Sequence, residues 1–227
     1  MQHLHPLARA LAEALIAVGP PALADWGTAS PQAKVDGDND LLERVARLPP
    51  PAMLQRIWTN QPCLVATRSQ ARLPGFADAC RACDQPVAIR RSAGTTVAHH
   101  QGTLQLSLGL SRDGIGIEEA YAALVDLMVR ALARLGVAAL PGAAAGAFCD
   151  GSHNLLVDGR KLAGTAAFIA TRAGRTASVA HAVIAIAGDP RDDIARLADF
   201  ESALGQRPAY RAEAHCTLAR LAAKVVL

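Results

Sequence analysis

The pattern of apolar and polar positions along the chain predicts helices interspersed with short strands. Residues 117–135 form the longest segment of helical periodicity, and Gly136 lies just past its end, where glycine commonly terminates a helix. A further helix is predicted near the start, where the apolar residues Leu7, Leu11, Leu15 and Ile16 lie at helical spacing. Three more are predicted at residues 40–48, 76–83 and 192–204. Short apolar runs predict strands at residues 54–58, 63–67, 87–90, 104–110 and 179–187.

Turn residues divide these elements. The triple proline at 49–51 ends the helix before it, because proline supplies no N–H to a helix. Asp158-Gly159 provide the two left-handed residues of a hairpin with arms at 153–157 and 160–169. A final helix is predicted over residues 212–226.

Strands and helices intermix, so the predicted class is α+β, or mixed α/β, with one sheet covered by helices. We expect a single domain over residues 1–227, with an N-terminal helix and linker at 1–39 and C-terminal helices at 190–227.

Composition narrows the classes of protein. Hydrophobic residues make up 51% of the chain, enough for a core, and a net charge of +3 without basic clusters speaks against a nucleic-acid partner. The apolar stretch at 7–24 contains Arg9 and Glu13 and is too short for a membrane span, so we expect a cytoplasmic protein without membrane contact. Five cysteines at irregular spacing indicate a reducing compartment rather than a disulfide framework.

One segment with candidate chemistry follows the strand at 87–90. Arg90 and Arg91 are followed by small residues, a histidine pair and Gly102. Small residues after a strand let backbone N–H groups approach a carboxylate or phosphate, and arginine adds charge-assisted hydrogen bonds. On residue types alone, an ordinary strand–turn–strand with exposed arginines is the better explanation, since Gly94 is the only glycine before Gly102.

A second such segment spans residues 147–166. Lys161 follows the hairpin turn, and Ala163 and Gly164 leave space beside it. A lysine in this position can neutralise a developing oxyanion or a phosphate. Taken by itself, a solvated hairpin lysine is the commoner case.

Together the two segments resemble the family of lipoate-protein ligase A and the octanoyltransferases. The family's first motif is matched by Arg90-Arg91-Ser92-Ala93-Gly94 leading to His99, and its second by Asn154 to Ala166, which includes Lys161 and Gly164. The resemblance implies a biotin/lipoate ligase-like catalytic domain, a mixed β-sheet flanked by helices, with an apolar tunnel for an octanoyl or lipoyl chain. It also implies a lysine of a lipoyl carrier domain as acceptor. The residues that it assigns to substrate binding are Arg90, Arg91, Ser92, Ala93, Gly94, His99, Asn154, Gly164 and Thr165, with Lys161 as catalytic residue.

The sequence departs from the family at one point of the first motif. Ala93 stands where the family has the first glycine of a pair, and a β-carbon would obstruct a backbone conformation that glycine adopts freely. Biotin ligase is the poorer comparison, since its Gly-Arg-rich run has no match here.

Members of the family work as ATP- and magnesium-dependent ligases or as cofactor-free transferases that accept the acyl group from acyl carrier protein on a cysteine. Cys149 favours the transferase, because the resemblance places the nucleophile of cysteine-dependent octanoyltransferases at this position. The Lys161 ammonium would lower the thiol pKa, whereas Asp150 would oppose that effect. After residue 187 only two helices are predicted, so we expect either a transferase or a ligase whose accessory part is a separate chain.

Geometry sets a condition on Cys149. If Asp158-Gly159 form the turn, Lys161 pairs with Leu156, and a straight hairpin arm would leave the thiol ~20 Å away. The thiol can act beside Lys161 only if the chain doubles back near Gly151.

Other interpretations stay open. Cys149 as a small buried linker residue and a non-catalytic acyl-binding or carrier-docking protein are the alternatives. Cys80 and Cys83 form one Cys-x-x-Cys without further ligands at matching spacing, so no metal site is expected. His181, in an apolar strand, is expected to be a hydrogen-bonded core histidine.

Overall fold

The computed structural model describes residues 4–112, 115–172 and 174–225. The strands are, in chain order, β1 Ala22–Asp25, β2 Ala52–Trp58, β3 Cys63–Thr67, β4 Val87–Arg90, β5 Val97–His99, β6 Thr103–Ser111, β7 Leu140–Gly142, β8 Asn154–Val157, β9 Arg160–Arg172 and β10 Arg175–Ala185. The α-helices are α1 Pro6–Val18, α2 Pro31–Arg47, α3 Phe76–Ala82, α4 Ile117–Ala133, α5 Pro190–Ala203 and α6 Leu218–Val225, with 3-10 turns at Gln70–Arg72 and Ala212–Ala214.

Seven strands form one mixed sheet in the order β1-β2-β6-β10-β9-β8-β7, and three form a second, small sheet in the order β4-β3-β5. In the large sheet β1 and β2 are parallel and the other neighbours antiparallel. The predicted mixed sheet flanked by helices is therefore confirmed, whereas the second, three-stranded sheet was not predicted.

The central strand β6 shows how the two faces differ. Its side chains alternate, and Leu104, Leu106 and Leu108 pack into the main core together with α1 and α4. Gln105 and Ser107 point to the opposite face, which carries α2 and the small sheet. The polar residues of β6 thus face the side on which the candidate site lies.

The hairpin prediction is confirmed. Asp158 and Gly159 have φ angles of 50° and 71°, both left-handed, and they connect β8 to β9. The helix before the prolines ends at Arg47, one residue before its predicted end at residue 48.

Two other predictions are wrong in part. Residues 19–39, predicted as a linker, contain β1 and the start of α2, because Ser30 caps the helix and Pro31 fits its first turn. The predicted helix at 212–226 is interrupted: His215 pairs with Lys161 in an isolated bridge before α6 begins, and residue 226 lies outside the described residues. Strands β1, β5 and β7 were not predicted, since they are short and depend on tertiary pairing.

None of the helices in the described ranges has the length and hydrophobicity needed to cross a bilayer.

Candidate active site

Lys161 and the backbone of Cys149 are in direct contact. The Lys161 ammonium donates to the carbonyl oxygen of Phe148 and, at 2.9 Å, to that of Cys149. The chain doubles back between them, as the sequence required, with the backbone N–H of Asn154 donating to the Gly151 carbonyl at 3.1 Å. Lys161 pairs with Leu156 as predicted, next to a β-bulge. Its side chain is only 3% exposed, so it is not a solvated hairpin lysine.

Cys149 is held in an unusual conformation. Its φ angle of 47° is left-handed, which costs free energy for a residue with a side chain and is commonest at functional sites. The Asn154 side chain holds this backbone conformation, because its amide nitrogen donates to the Cys149 carbonyl at 3.1 Å. The side-chain oxygen of Asn154 accepts from the Thr165 N–H at 2.9 Å. Cys149 as a residue is partly exposed and lines an apolar cavity, so it is not a fully buried linker residue.

Positive charge surrounds the thiol. Burial would raise the pKa of the Cys149 thiol, but the Arg90 guanidinium, with a nitrogen 3.8 Å from the sulfur, and the Lys161 ammonium lower it below its ordinary value of 9.0. Burial also lowers the pKa of Lys161, to about 8. The Asp150 carboxylate accepts a hydrogen bond from the Ala144 N–H at 2.8 Å. Arg90 is the charged group that the sequence did not lead us to expect beside the sulfur.

The loop after β4 closes over this thiol. Gly94 has a φ of 111°, and a β-carbon placed on it would lie 2.7 Å from the Cys149 sulfur and 2.8 Å from an Arg90 nitrogen. Among the described residues, the non-glycine residues with positive φ are Cys149 and Asp158, so Ala93 is not one of them. Gly94 is therefore the position in this loop that requires glycine, and the backbone at Ala93 accommodates a β-carbon.

Two substitutions in this loop form a matched pair. We expect Gly94→Ala to reduce acyl transfer by at least ~100-fold, because the added methyl would displace the thiol or Arg90. Ala93→Gly, which restores the family residue, should change the rate by less than ~3-fold. Steady-state rates of both purified variants test this; equal losses in the two would contradict it.

Ser92 anchors the same loop to the large sheet and α2. Its hydroxyl lies 2.8 Å from His181 Nε2, and His181 Nδ1 lies 2.6 Å from an Asp38 oxygen. Asp38 is buried; burial raises its carboxyl pKa, but hydrogen bonds from His181 and Ser107 and the charge of Arg56 more than offset this and keep the pKa low. The ionised Asp38 carboxylate accepts from His181 Nδ1–H, and the other ring nitrogen of His181 is the atom that contacts Ser92.

These three residues have the types of a serine-hydrolase triad, but Ser92 is only 2% exposed and is not among the residues that line the tunnel. Ser92, His181 and Asp38 therefore position the loop that carries Gly94. His181 is hydrogen-bonded, as expected, and its side chain is partly buried.

The depressed pKa of Asp38 predicts an acid-dependent stability. Its contribution is present above the ordinary carboxyl value of 3.8 and is lost as pH falls through the lower folded-state value. We expect Asp38→Asn to lower the free energy of unfolding by about 3–5 kcal/mol at neutral pH, because His181 and Ser107 lose their buried ionised acceptor, while Arg56 keeps its ion pair with Asp25. Denaturant unfolding of both proteins should give a difference that shrinks below pH 3.8; a pH-independent difference would contradict the assignment.

An apolar tunnel runs from the thiol between the two sheets. Its lining includes Lys161, Cys149, Arg90, His99, Gly164 and Thr165 of the predicted site, together with Trp58, Val65, Val97, Gln105 and Val183. His99 is buried at the far side, 3.4 Å from the Asn60 amide, and burial lowers its pKa to about 3, so it is neutral. The Gln105 amide nitrogen donates to Thr103 at 2.7 Å, while its oxygen has no partner among the described side chains.

The structure brings most predicted site residues together but separates Arg91. Its guanidinium lies 5.3 Å from the centre of the Phe168 ring, beside α2, instead of lining the tunnel. The sequence reasoning also missed His215, which stacks on Phe148 at 4.4 Å and accepts from its N–H at 3.3 Å. His215 thereby supports the turn that leads into Cys149. No group of three or more histidine, cysteine or acidic residues able to hold a metal ion occurs in the described ranges.

This fold and tunnel define a lipoate-ligase-like catalytic domain. Residues 30–223 match the family described as the lipoyl protein ligase A/B catalytic domain, and the chain belongs to that family. It is therefore an enzyme of the class that comprises octanoyltransferases and lipoate-protein ligases.

Two curated relatives carry the same name, octanoyl-[GcvH]:protein N-octanoyltransferase. The protein from Kyrpidia tusciae is 38% identical over 198 residues, which cover 82% of this chain and 68% of the relative. The protein from Geobacillus kaustophilus is 32% identical over 114 residues, 48% of this chain and 40% of the relative. The chain thus matches well under half of the second protein's length.

Solved structures share the fold. A lipoate-protein ligase A bound with ATP superposes with a TM-score of 0.66 at 16% identity, covering 88% of this chain and 77% of the other. The bipartite lipoate protein ligase of Thermoplasma acidophilum, studied with its E2 lipoyl domain, gives a TM-score of 0.58 at 16% identity, covering 91% and 81%.

Proposed function

We propose that this chain transfers an octanoyl group to a lysine of a lipoyl carrier domain through a thioester on Cys149. The observation that carries the proposal is the Cys149 thiol in the tunnel lining, beside the cations Arg90 and Lys161, which lower its pKa. The names of the two octanoyltransferase relatives support the acyl group and the type of reaction.

The chemistry needs two acyl transfers. The Cys149 thiolate attacks the octanoyl carbonyl, a carbon–sulfur bond forms, and the bond to the donor breaks as the departing group takes up a proton. The acceptor lysine, as a free amine, then attacks the thioester, an amide forms, and the amine proton is released as Cys149 leaves as thiolate. Lys161 and Arg90 stabilise negative charge near the sulfur in both steps.

The donor is the point on which sequence reasoning and the relatives differ. The sequence led us to expect octanoyl-acyl carrier protein, whereas the relatives' names specify octanoyl-[GcvH]. We propose octanoylated GcvH as the donor, since this name accompanies 38% identity over most of the chain. Neither donor requires ATP, because both carry the octanoyl group already bonded.

Intact mass of an apo lipoyl domain after incubation tests the function. Parallel samples would contain octanoyl-[GcvH], octanoyl-acyl carrier protein, or free octanoate with ATP and magnesium. The proposal expects the largest mass gain with octanoyl-[GcvH] without ATP. Gain only with free octanoate and ATP would make the chain a ligase, and gain in no sample would favour an acyl-binding protein; either result overturns the proposal.

A further inference from the structure

A buried glutamate lies behind the loop that covers Cys149. Glu201, near the end of α5, is only 2% exposed, and one of its carboxylate oxygens accepts from the Thr96 backbone N–H at 3.0 Å. Its other oxygen accepts from the Tyr210 hydroxyl at 2.6 Å. Burying a carboxylate destabilises a protein unless donors surround it, and here each oxygen has one.

The polar groups that contact the Glu201 side chain in the described part of the chain are donors. The Gln70 amide oxygen accepts from the Thr67 N–H at 3.0 Å, so its amide nitrogen faces Glu201 at 3.4 Å and the Thr96 hydroxyl at 2.9 Å. Burial and the bond to Glu201 raise the pKa of Tyr210, so its hydroxyl stays protonated and donates. Three donors match the acceptor-only chemistry of a carboxylate.

The peptide group between Thr95 and Thr96 connects Glu201 to Arg90. Its N–H, which belongs to Thr96, donates to the carboxylate, and its C=O, which belongs to Thr95, accepts from an Arg90 nitrogen at 2.8 Å. A peptide group is planar with its N–H and C=O on opposite sides, so the position of one fixes the direction of the other. The bond from the N–H to a carboxylate also makes the C=O a stronger acceptor.

The same guanidinium nitrogen reaches the nucleophile. Arg90 Nη2 lies 3.8 Å from the Cys149 sulfur and also donates to the Ala93 carbonyl at 3.0 Å. The Arg90 Nε is buried and has no hydrogen-bond partner among the described residues, so the loop carbonyls set the direction of the guanidinium. A continuous path of contacts therefore runs from Glu201 through one peptide group and Arg90 to the sulfur.

The charge of Glu201 by itself would act against the thiolate. A carboxylate near a thiol raises the thiol pKa, whereas the Arg90 guanidinium lowers the pKa of Cys149. Glu201 can favour the thiolate only by placing Arg90. Removing a carboxylate that merely fills space would leave the thiol pKa unchanged or lower it, and removing one that places Arg90 would raise it.

We propose that Glu201 is a positioning residue that holds Arg90 against the Cys149 sulfur through the peptide group between Thr95 and Thr96. Glu201 is not part of the tunnel lining, so it acts without touching the acyl group. The inference rests on the proposed function, in which Cys149 is the nucleophile, and adds a residue of α5 to the groups that prepare it.

The test follows the rate at which iodoacetamide alkylates Cys149 as a function of pH, with the modified peptide identified by mass. Glu201→Ala should move the midpoint of this profile to higher pH and slow alkylation at neutral pH by ~10-fold, the scale of one charge-assisted hydrogen bond. Octanoyl transfer at neutral pH should fall by a similar factor, because the thiolate is the attacking species.

Two conservative variants separate the reach of Glu201 from its charge. Glu201→Gln keeps an oxygen for the Thr96 N–H, so its profile should match the wild type or lie at lower pH. Glu201→Asp keeps the charge but draws the oxygens back by one carbon–carbon bond, ~1.5 Å, so its profile should move to higher pH. This variant replaces Glu201→Ala if the alanine variant does not fold. Asp199→Ala, which removes an exposed carboxylate of the same helix, is the matched control and should leave the profile unchanged.

An unchanged profile, or one at lower pH, in a folded Glu201→Ala or Glu201→Asp variant overturns the proposal. A rise in Glu201→Gln as large as that in Glu201→Ala overturns it too, since the hydrogen bond to Thr96 would then not be the cause. Alkylation needs no acyl donor. A wild-type enzyme that transfers octanoyl from no donor, while the alkylation profiles shift as predicted, overturns the proposed function and not the role of Glu201.

Discussion

Replacing Cys149 by serine is expected to reduce octanoyl transfer by at least ~1,000-fold, the scale of losses seen when a nucleophile is removed. The cations beside the sulfur lower the pKa of the Cys149 thiol and so raise its thiolate fraction, whereas a serine hydroxyl in the same place would stay protonated. Initial rates of carrier octanoylation, followed by intact mass, measure the effect.

Cys80→Ser is the matched control, since Cys80 lies on α3, away from the tunnel lining. Its rate should equal that of the wild type. Substantial activity in Cys149→Ser would show that the acyl group reaches the acceptor without this sulfur.

Replacing Lys161 by alanine is expected to lower the rate ~100- to 1,000-fold, the usual cost of removing a group that stabilises developing charge. The loss has two physical parts. The ammonium helps to lower the pKa of the thiol, and its hydrogen bonds to the Phe148 and Cys149 carbonyls hold the nucleophile's turn.

The pH dependence of the rate of Lys161→Arg separates the effect of the positive charge from that of the hydrogen bonds. The Lys161 pKa of about 8 means that the wild-type cation is lost as pH rises through that value, so the rate should fall there. Arginine keeps its charge, and the alkaline fall should disappear even if the maximal rate is lower. Single-turnover rates on both sides of pH 8 test this, and an identical alkaline limb in both enzymes would assign it to another group.

Local patterns were enough to predict much of the fold. The hairpin at Asp158-Gly159 follows from two residues that tolerate left-handed φ, and the long helix α4 follows from its periodicity. Short edge strands such as β7 have no comparable signal, because three residues, one of them proline, become a strand only when β8 lies beside them.

The part of the candidate site that lies within the two family motifs was predictable from the sequence. Lys161, Asn154 and Gly94 lie around Cys149 as the two motifs suggested. The role of Arg90 beside the sulfur was not, since it depends on how the loop folds back over residue 149.

The buried, partnered position of Asp38 could have been predicted from the sequence. It is an acidic residue on the buried face of α2, at helical spacing between Val35 and Leu42, and a carboxylate there must have partners. His215 and Trp58 offered no such signal, because their positions depend on contacts between distant parts of the chain.

The most direct test of the Cys149 thioester is the intact mass of the enzyme itself after exposure to octanoyl-[GcvH] without any acceptor. The account predicts a gain of one octanoyl group that maps to Cys149, is removed by hydroxylamine, and is absent from Cys149→Ser. An enzyme that octanoylates its acceptor yet never gains this mass, or gains it equally in Cys149→Ser, would contradict the account.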